Sequence, residues 1–181
     1  FLAGIPGTLG GALAMNAGAW GGETWSFVRR VWTLDRQGQV HERDAAEYEP
    51  AYREVRGPTG EWFLAAELEL TPGDGAASLA RIRELLDQRA ATQPVGQPSC
   101  GSVFRNPPGD HAARLIDSLG LKGLRIGGAE VSSIHANFII NRGGATATDI
   151  ARLIEQIQQT VERHTGIRLM PEVRRIAGEQ A

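Results

Sequence analysis

Seven glycines fall between Gly4 and Glu23, at Gly4, Gly7, Gly10, Gly11, Gly18, Gly21 and Gly22, and this density limits the local fold more than any other feature of the chain. Each glycine inside a helix or strand costs roughly 0.5–1 kcal/mol of backbone entropy, so neither element extends far through such a stretch. What remains is turns, a short helix among small residues, or backbone that lets another group come close. Pro6-Gly7-Thr8 reads as a turn feeding a helix N-cap, which predicts a short helix over Leu9–Asn16 ended by Gly18. A turn that opens a helix aims N–H groups at phosphates, but tight helix packing accounts for small residues equally well. The spacing matches neither Gly-x-Gly-x-x-Gly nor a Lys-containing phosphate loop, and the residues alone leave both readings open.

Composition narrows the class. No apolar run approaches the roughly 18 residues a membrane span needs, and 19 basic against 21 acidic residues, a formal net charge of -2, give no electrostatic footprint for nucleic acid. Cys100 is the single cysteine, which excludes an intrachain disulfide and a Cys-rich zinc site and fits a reducing, cytoplasmic setting. His41, His111 and His164 have no metal-ligand spacing, so no metal is expected. The chain opens at Phe1 within the apolar, glycine-rich stretch and shows no secretory leader, and a preceding part of the fold is expected to be missing.

Further along, Phe27–Leu34 is rich in β-branched and aromatic residues and predicts a strand, with a turn at Arg36-Gln37-Gly38 and a returning strand over Gln39–Glu42. A helical turn over Asp44–Tyr48, an extended Pro50–Arg53 and an alternating strand Trp62–Leu70 follow. Thr71-Pro72-Gly73-Asp74-Gly75 is the main break, giving domains 1–73 and 74–181. Leu79, Ile82, Leu85 and Leu86 predict an amphipathic helix over Ala77–Ala91. Beyond a Pro- and Gly-rich loop, Ser102–Arg105 reads as a short strand, and Asp110 as the cap of a helix over His111–Leu119. Strands are expected at Arg125–Val131 and Asn137–Asn141. Thr146-Ala147-Thr148-Asp149 is a capping box for a helix whose Ile150, Leu153, Ile154, Ile157 and Val161 share one face and which Gly166 ends. Leu169–Ile176 reads as a last strand. With no regular βαβ alternation, the fold class is α+β.

Read as whole strings, these segments are less generic. Gly4-Ile5-Pro6-Gly7-Thr8-Leu9-Gly10-Gly11-Ala12, followed by Asn16-Ala17-Gly18-Ala19-Trp20-Gly21-Gly22-Glu23, closely resembles the UDP-N-acetylenolpyruvoylglucosamine reductase family. Tyr52-Arg53, Gly101-Ser102-Val103-Phe104-Arg105-Asn106-Pro107, Leu121-Lys122-Gly123, Gly127-Gly128-Ala129, Val131-Ser132-x-x-His135-Ala136-Asn137-Phe138 and Pro171-Glu172-Val173-Arg174 are similar to that family's motifs, in its order. The resemblance implies the C-terminal portion of an FAD-binding α+β domain of the PCMH type over 1–73, followed by an α+β substrate-binding domain over 74–181. Gly7, Thr8, Gly10, Gly11, Asn16 and Gly18 would then lie along FAD, with Trp20, Tyr52, Asn106 and His135 as substrate contacts; Gln93 and Lys122 are similar candidates.

The implied reaction is a two-step flavin shuttle in peptidoglycan precursor synthesis. NADPH, the co-substrate, reduces FAD, and the reduced flavin passes hydride to the enolpyruvyl vinyl carbon of a UDP-sugar. Negative charge then develops in an enediolate, which needs cationic or hydrogen-bond stabilisation and a proton donor for the adjacent carbon. By motif, Arg53 would bind the carboxylate, Glu172 assist as an acid or hydrogen-bonding partner, and Ser102 deliver the proton. A monomer without nucleic-acid or membrane partners is expected. Taken singly, Arg53 reads as a surface ion-pair residue, Ser102 as a loop hydroxyl, Glu172 as a solvated strand residue, and His135 equally as a structural histidine. Three positions depart from the family's usual pattern. Cys100 stands where Ala is usual and suggests sensitivity to thiol reagents, Arg105 replaces Lys, and Val55 follows where Ser is common. The alternatives are an FAD-dependent oxidase of the same wider group and a catalytically silent scaffold that keeps the flavin fold.

Overall fold

The computed structural model describes residues 1–176 and divides into two compact units, Phe1–Asp87 and Gln88–Ala181. The first opens with α1 (Leu9–Ala14), capped by Thr8, whose hydroxyl accepts the Gly11 N–H at 3.1 Å. Two tight hairpins follow in the chain. β1 (Gly18–Ala19) pairs antiparallel with β2 (Gly22–Glu23). β3 (Val28–Asp35) then pairs with β4 (Val40–Asp44), and a 3-10 turn at Ala45–Glu47, closed by an Asp44–Glu47 capping box, leads to the second tight hairpin, β5 (Glu49–Ala51) with β6 (Glu54–Arg56). β7 (Glu61–Leu68) returns to the other side of β3, completing a three-stranded antiparallel sheet of order β4-β3-β7.

The core of this unit is Leu13, Trp25, Val28, Val31 and Tyr48, with Phe63 and Val55 packed against it. Trp25, Tyr48 and Phe63 form an aromatic cluster with centroids 4.7–6.1 Å apart, within the range where edge and offset contacts add to area burial. Trp25 donates its indole N–H to the Leu13 carbonyl at 2.8 Å and so locks the end of α1 to the core. Val55 explains one departure noted in the sequence: it is a packing residue here, and a Ser would leave that contact unfilled.

α2 (Gly75–Thr92) contains the division between the units. Its helical period is real, but of the expected apolar face Leu85 is buried whereas Leu79 and Leu86 stay 57% and 38% exposed. In the second unit come α3 (Ala112–Ser118), the hairpin β8 (Arg125–Ile126) with β9 (Ala129–Val131), β10 (Ile139–Asn141) beside β9, and α4 (Ala147–Thr165). The three-stranded antiparallel sheet has order β10-β9-β8. α4 behaves as its sequence dictates. Thr146 and Asp149 exchange both bonds of a capping box, Gly166 ends the helix at φ 73°, and Leu153, Ile154, Ile157 and Val161 are buried with Leu115, Ile116, Ala129 and Val131. Gly127 and Gly128 turn the β8–β9 hairpin under the start of this helix; a Cβ on Gly128 would stand 2.5 Å from the Ala145 nitrogen.

Four sequence expectations need correction. Arg125–Val131 is not one strand but the antiparallel pair β8 and β9, turned at Gly127-Gly128. α3 is capped by His111, not Asp110, whose carboxylate instead binds the His111 N–H at 2.7 Å and the Arg114 guanidinium. Ser102–Arg105 and Leu169–Ile176 are not continuous strands, and each contributes only isolated bridges, Ser102 with Phe138 and Phe104 with Pro171. The reason is that one neighbour of Phe104 is a side chain rather than a strand backbone.

Candidate functional site

In the first unit the glycines separate by role. Gly18 and Gly22 are packing glycines: an added Cβ would lie 2.7 Å from the Gly22 carbonyl oxygen and from the Phe1 ring respectively. Gly10 and Gly11 are different. A methyl there would meet its nearest atoms at 3.7 and 3.6 Å, ordinary contact distance, and neither residue has positive φ. Neither packing nor backbone conformation calls for glycine on the first turn of α1, where it weakens the helix. These glycines leave the first turn of α1 open to close approach, with the Gly11 N–H held by the Thr8 hydroxyl and the Ala12 N–H by the Thr8 carbonyl.

Three non-glycine residues among those described have positive φ: Asn16 at 42°, Trp20 at 56° and Arg53 at 58°. All three belong to the set picked out by motif. Left-handed backbone costs an ordinary L-residue about 1–2 kcal/mol, and strain of this kind collects where a surrounding structure holds a functional side chain in place. Trp20 and Gly21 form the two-residue loop between β1 and β2, both with φ above zero as a type I′ turn demands; Asn-Gly is the usual pair, and here an indole takes the first position, half exposed. Tyr52 and Arg53 form the loop between β5 and β6. Arg53 lays its guanidinium over the Tyr52 ring, 4.9 Å from the centroid, and donates through Nη2 to the Gly18 carbonyl at 3.2 Å.

Asn16 joins these two hairpins. It is 1% exposed, and its Nδ2 donates to Glu23 Oε2 at 2.9 Å and to the Ala51 carbonyl at 3.3 Å, while Oδ1 accepts the Trp25 N–H at 3.2 Å. The amide thus ties β2 to β5, the strand that ends at Ala51. The motif made Asn16 a cofactor contact; the structure adds a holding function for its side chain.

In the second unit the backbone of Val103, next to Ser102, binds Glu172. Val103 N–H donates to the Asn137 carbonyl at 2.9 Å on one side, and the Val103 carbonyl accepts the Glu172 N–H at 2.8 Å on the other. Arg105 N–H donates to the Met170 carbonyl at 2.9 Å, extending the second contact and giving Arg105 a main-chain role whatever its side chain does. The Ser102 residue is partly accessible, whereas Val103 and Phe104 beneath it are 1% exposed.

His135 sits two residues before this lacing. Its Nδ1 accepts the Asn137 N–H at 3.3 Å, which leaves the proton on Nε2, and its ring meets the Phe138 edge with centroids 4.9 Å apart. Burial first, and the Lys122 charge second, push its pKa below the usual 6.5, so at neutral pH it is an uncharged Nε2–H donor. Asn106 is exposed, and its Oδ1 accepts the Ala112 N–H at 3.1 Å, which gives it a structural hold on the start of α3. Lys122 pairs with Asp117 at 2.8 Å. Cys100 is an exposed residue, but desolvation of its thiol raises the pKa, which disfavours the thiolate and argues against the expected reactivity. Among the described residues no group of three His, Cys, Asp or Glu could hold a metal, and no helix is long and apolar enough to cross a membrane.

Sequence reasoning assigned no role to Asn137. A polar residue inside Ala136-Asn137-Phe138-Ile139 was the available signal, since a buried amide in an apolar run must have partners to persist.

Comparison with known proteins adds to this geometry. Residues 93–176 match the C-terminal domain of UDP-N-acetylenolpyruvoylglucosamine reductase. The chain is 65% identical over 179 residues to the UDP-N-acetylenolpyruvoylglucosamine reductase of Alkalilimnicola ehrlichii, covering 99% of this chain and 60% of the relative. The Methylococcus capsulatus protein of the same name is 63% identical over 181 residues, covering 100% and 60%. A crystal structure of UDP-N-acetylenolpyruvylglucosamine reductase from Thermus caldophilus matches with a TM-score of 0.84 at 36% identity, over 96% of this chain and 62% of that one. The chain therefore spans about three fifths of the length of the curated relatives it matches. Over that span it is α+β like them, residues 93–176 match that reductase's C-terminal domain, and the chain as a whole is similar to UDP-N-acetylenolpyruvoylglucosamine reductases.

Proposed function

We propose that this chain works in the FAD-dependent, NADPH-using reduction of UDP-N-acetylglucosamine enolpyruvate to UDP-N-acetylmuramate, a cytoplasmic step of peptidoglycan precursor synthesis. Residues 1–73 belong to the FAD-binding domain and 74–181 to the substrate-binding domain. The observation that carries the reading is the bond from the Glu172 N–H to the carbonyl of Val103, the residue after Ser102, inside the segment that matches the reductase C-terminal domain. This bond supports a reading in which the Ser102 hydroxyl and the Glu172 carboxylate serve one proton delivery to a carbon next to a carboxylate.

The first turn of α1 fits a flavin nucleotide on its own evidence, because Gly10 and Gly11 leave room that no packed side chain needs. Gly7, Thr8, Gly10, Gly11, Asn16 and Gly18 are the residues that would hold it. When bound, the cofactor supplies the hydride that saturates the enolpyruvyl double bond. Arg53 binds the substrate carboxylate, and its fixed positive charge stabilises the enediolate as charge moves onto that group. The left-handed backbone at Arg53 and the stacked Tyr52 ring hold the guanidinium in advance, so little reorganisation is left for the reaction. Ser102 gives its proton to the carbon beside the carboxylate, and Glu172 supports that transfer as an acid or hydrogen-bond partner. Trp20, Tyr52, Asn106 and His135 contact the UDP-sugar, His135 as a neutral donor.

The test uses the protein at the full length of its relatives, supplied with FAD. NADPH oxidation should rise on addition of UDP-N-acetylglucosamine enolpyruvate. Ser102→Ala should leave flavin reduction by NADPH near normal and slow reduction of the substrate by orders of magnitude. A flavin-bound protein indifferent to this substrate would turn the reading toward an oxidase, and a colourless one toward a silent scaffold.

A further inference from the structure

The Ser102 segment is held in an unusual way. Residues 102–105 lie between two distant stretches, 137–138 and 170–172, yet on the first side the ladder does not continue in backbone. After Val103 N–H has donated to the Asn137 carbonyl, the Asn137 side chain takes over. Its Oδ1 accepts the Phe104 N–H at 3.0 Å, and its Nδ2 donates to the Phe104 carbonyl at 2.8 Å. One carboxamide satisfies both main-chain groups of a residue that is 1% exposed, and Asn137 itself is 4% exposed. On the second side the same stretch binds Glu172 through the Val103 carbonyl and Met170 through the Arg105 N–H.

We propose that Asn137 is a positioning residue for proton delivery: its side-chain amide stands in for a missing strand and sets the backbone of Phe104, thereby fixing where Ser102 lies relative to Glu172. The inference rests on the reductase reading given above for its catalytic consequence, though not for its geometry. Two features make the placement specific. The clamp is bidentate, so it fixes rotation of the Phe104 peptide groups as well as distance. It also acts on the residue next to Val103, whose carbonyl is the backbone link to Glu172, so a shift at Phe104 alters the Ser102–Glu172 register. Displacement of a catalytic group by about 1 Å is enough to cost on the order of 100-fold in rate.

The test compares Asn137→Ala and Asn137→Asp with wild type in the full-length, FAD-loaded enzyme. In rapid mixing, flavin reduction by NADPH should stay within about twofold of wild type, while reoxidation by saturating UDP-N-acetylglucosamine enolpyruvate slows on the order of 100-fold. Adding either substitution to Ser102→Ala should slow the second half-reaction little further, because both changes remove the same proton delivery. Asp retains an acceptor for the Phe104 N–H and regains a donor only when protonated, so its second half-reaction should recover toward low pH relative to wild type. Hydrogen exchange gives a readout independent of turnover: the Phe104 amide should lose protection in Asn137→Ala and keep more of it in Asn137→Asp, which retains the acceptor. Equal slowing of both half-reactions, fully multiplicative losses in the double variant, or an unchanged Phe104 exchange rate in Asn137→Ala would overturn the proposal. Should wild type show no substrate-dependent NADPH oxidation, the reductase reading falls, and Phe104 exchange still decides whether the clamp holds this segment. Should the alanine variant fail to fold, the aspartate variant carries the kinetic comparisons, and absence of its recovery toward low pH would overturn the proposal.

Discussion

Replacing Asn16 tests the account of the first unit at its most connected point. Asn16→Ala removes the acceptor for the Trp25 N–H, a donor in a residue only 7% exposed; an orphaned buried group costs about 1–3 kcal/mol. The lost bonds to Glu23 and the Ala51 carbonyl add less, because Glu23 is exposed and water can replace its partner. Alanine must also adopt the φ of 42°, at roughly 1 kcal/mol. The sum is about 3 kcal/mol, or on the order of 10–20 °C in Tm for a unit of this size. Asn16→Gly accepts the backbone conformation and should be milder by about 1 kcal/mol. Asn16→Asp keeps the Trp25 acceptor but sets a carboxylate oxygen against Glu23, and its cost should ease as pH falls. Urea unfolding followed by tryptophan fluorescence is the assay of choice, since all four tryptophans, Trp20, Trp25, Trp32 and Trp62, lie in the unit that Asn16 holds together. A loss below about 1 kcal/mol for alanine would refute the hydrogen-bond argument. An equal loss for alanine and glycine would refute the contribution assigned to backbone strain.

Two further outcomes follow from particular residues. Gly10→Ala should stabilise the fold slightly, by about 0.5 kcal/mol, because its methyl has room, yet lower the flavin content of the full-length enzyme; unchanged flavin content with a stability loss would return this glycine to packing. His135 should titrate below 6.5 in an NMR pH series, and its share of stability should run in one direction. The unfolded state binds a proton near 6.5 and the folded state only at lower pH, so stability is present above that value and declines as pH falls through it. His135→Gln should flatten that part of the profile, and a His135 pKa above 6.5 would show that burial is not the governing influence.

Elements whose cause is local were legible from the sequence. α4 carries its own start in Thr146 and Asp149, its own stop in Gly166 and a single apolar stripe, so no distant residue is needed to define it. The Ser102–Arg105 and Leu169–Ile176 segments failed as strands because their partners are a side-chain amide and scattered bridges, and strand propensity carries no sign of that. Asp110 misled for a similar reason: it has the chemistry of a cap but is held by Arg114, with its pKa brought down to about 2, leaving His111 at the cap position. The motif residues stand out as strings of letters, yet their conformation does not. Nothing in the letters Trp20 or Arg53 announces a left-handed backbone, and only the space around each glycine separates Gly18 and Gly22, fixed by packing, from Gly10 and Gly11, which are not.

The lacing of Ser102 also bears on biosynthesis. The described part of the first unit contains a sheet and an aromatic core whose residues have all been made once synthesis has passed Asp87, so these elements can pair while translation continues. The Ser102 segment must wait for Asn137 and then for Met170, Pro171 and Glu172 to leave the ribosome. A ribosome that stalls between Asn141 and Leu169 would release a chain with the β4-β3-β7 sheet formed and the serine segment bound on one side only. Proteolytic quality control would then meet an exposed, half-paired strand edge, and such chains would be cleared through that segment before the β4-β3-β7 sheet is attacked.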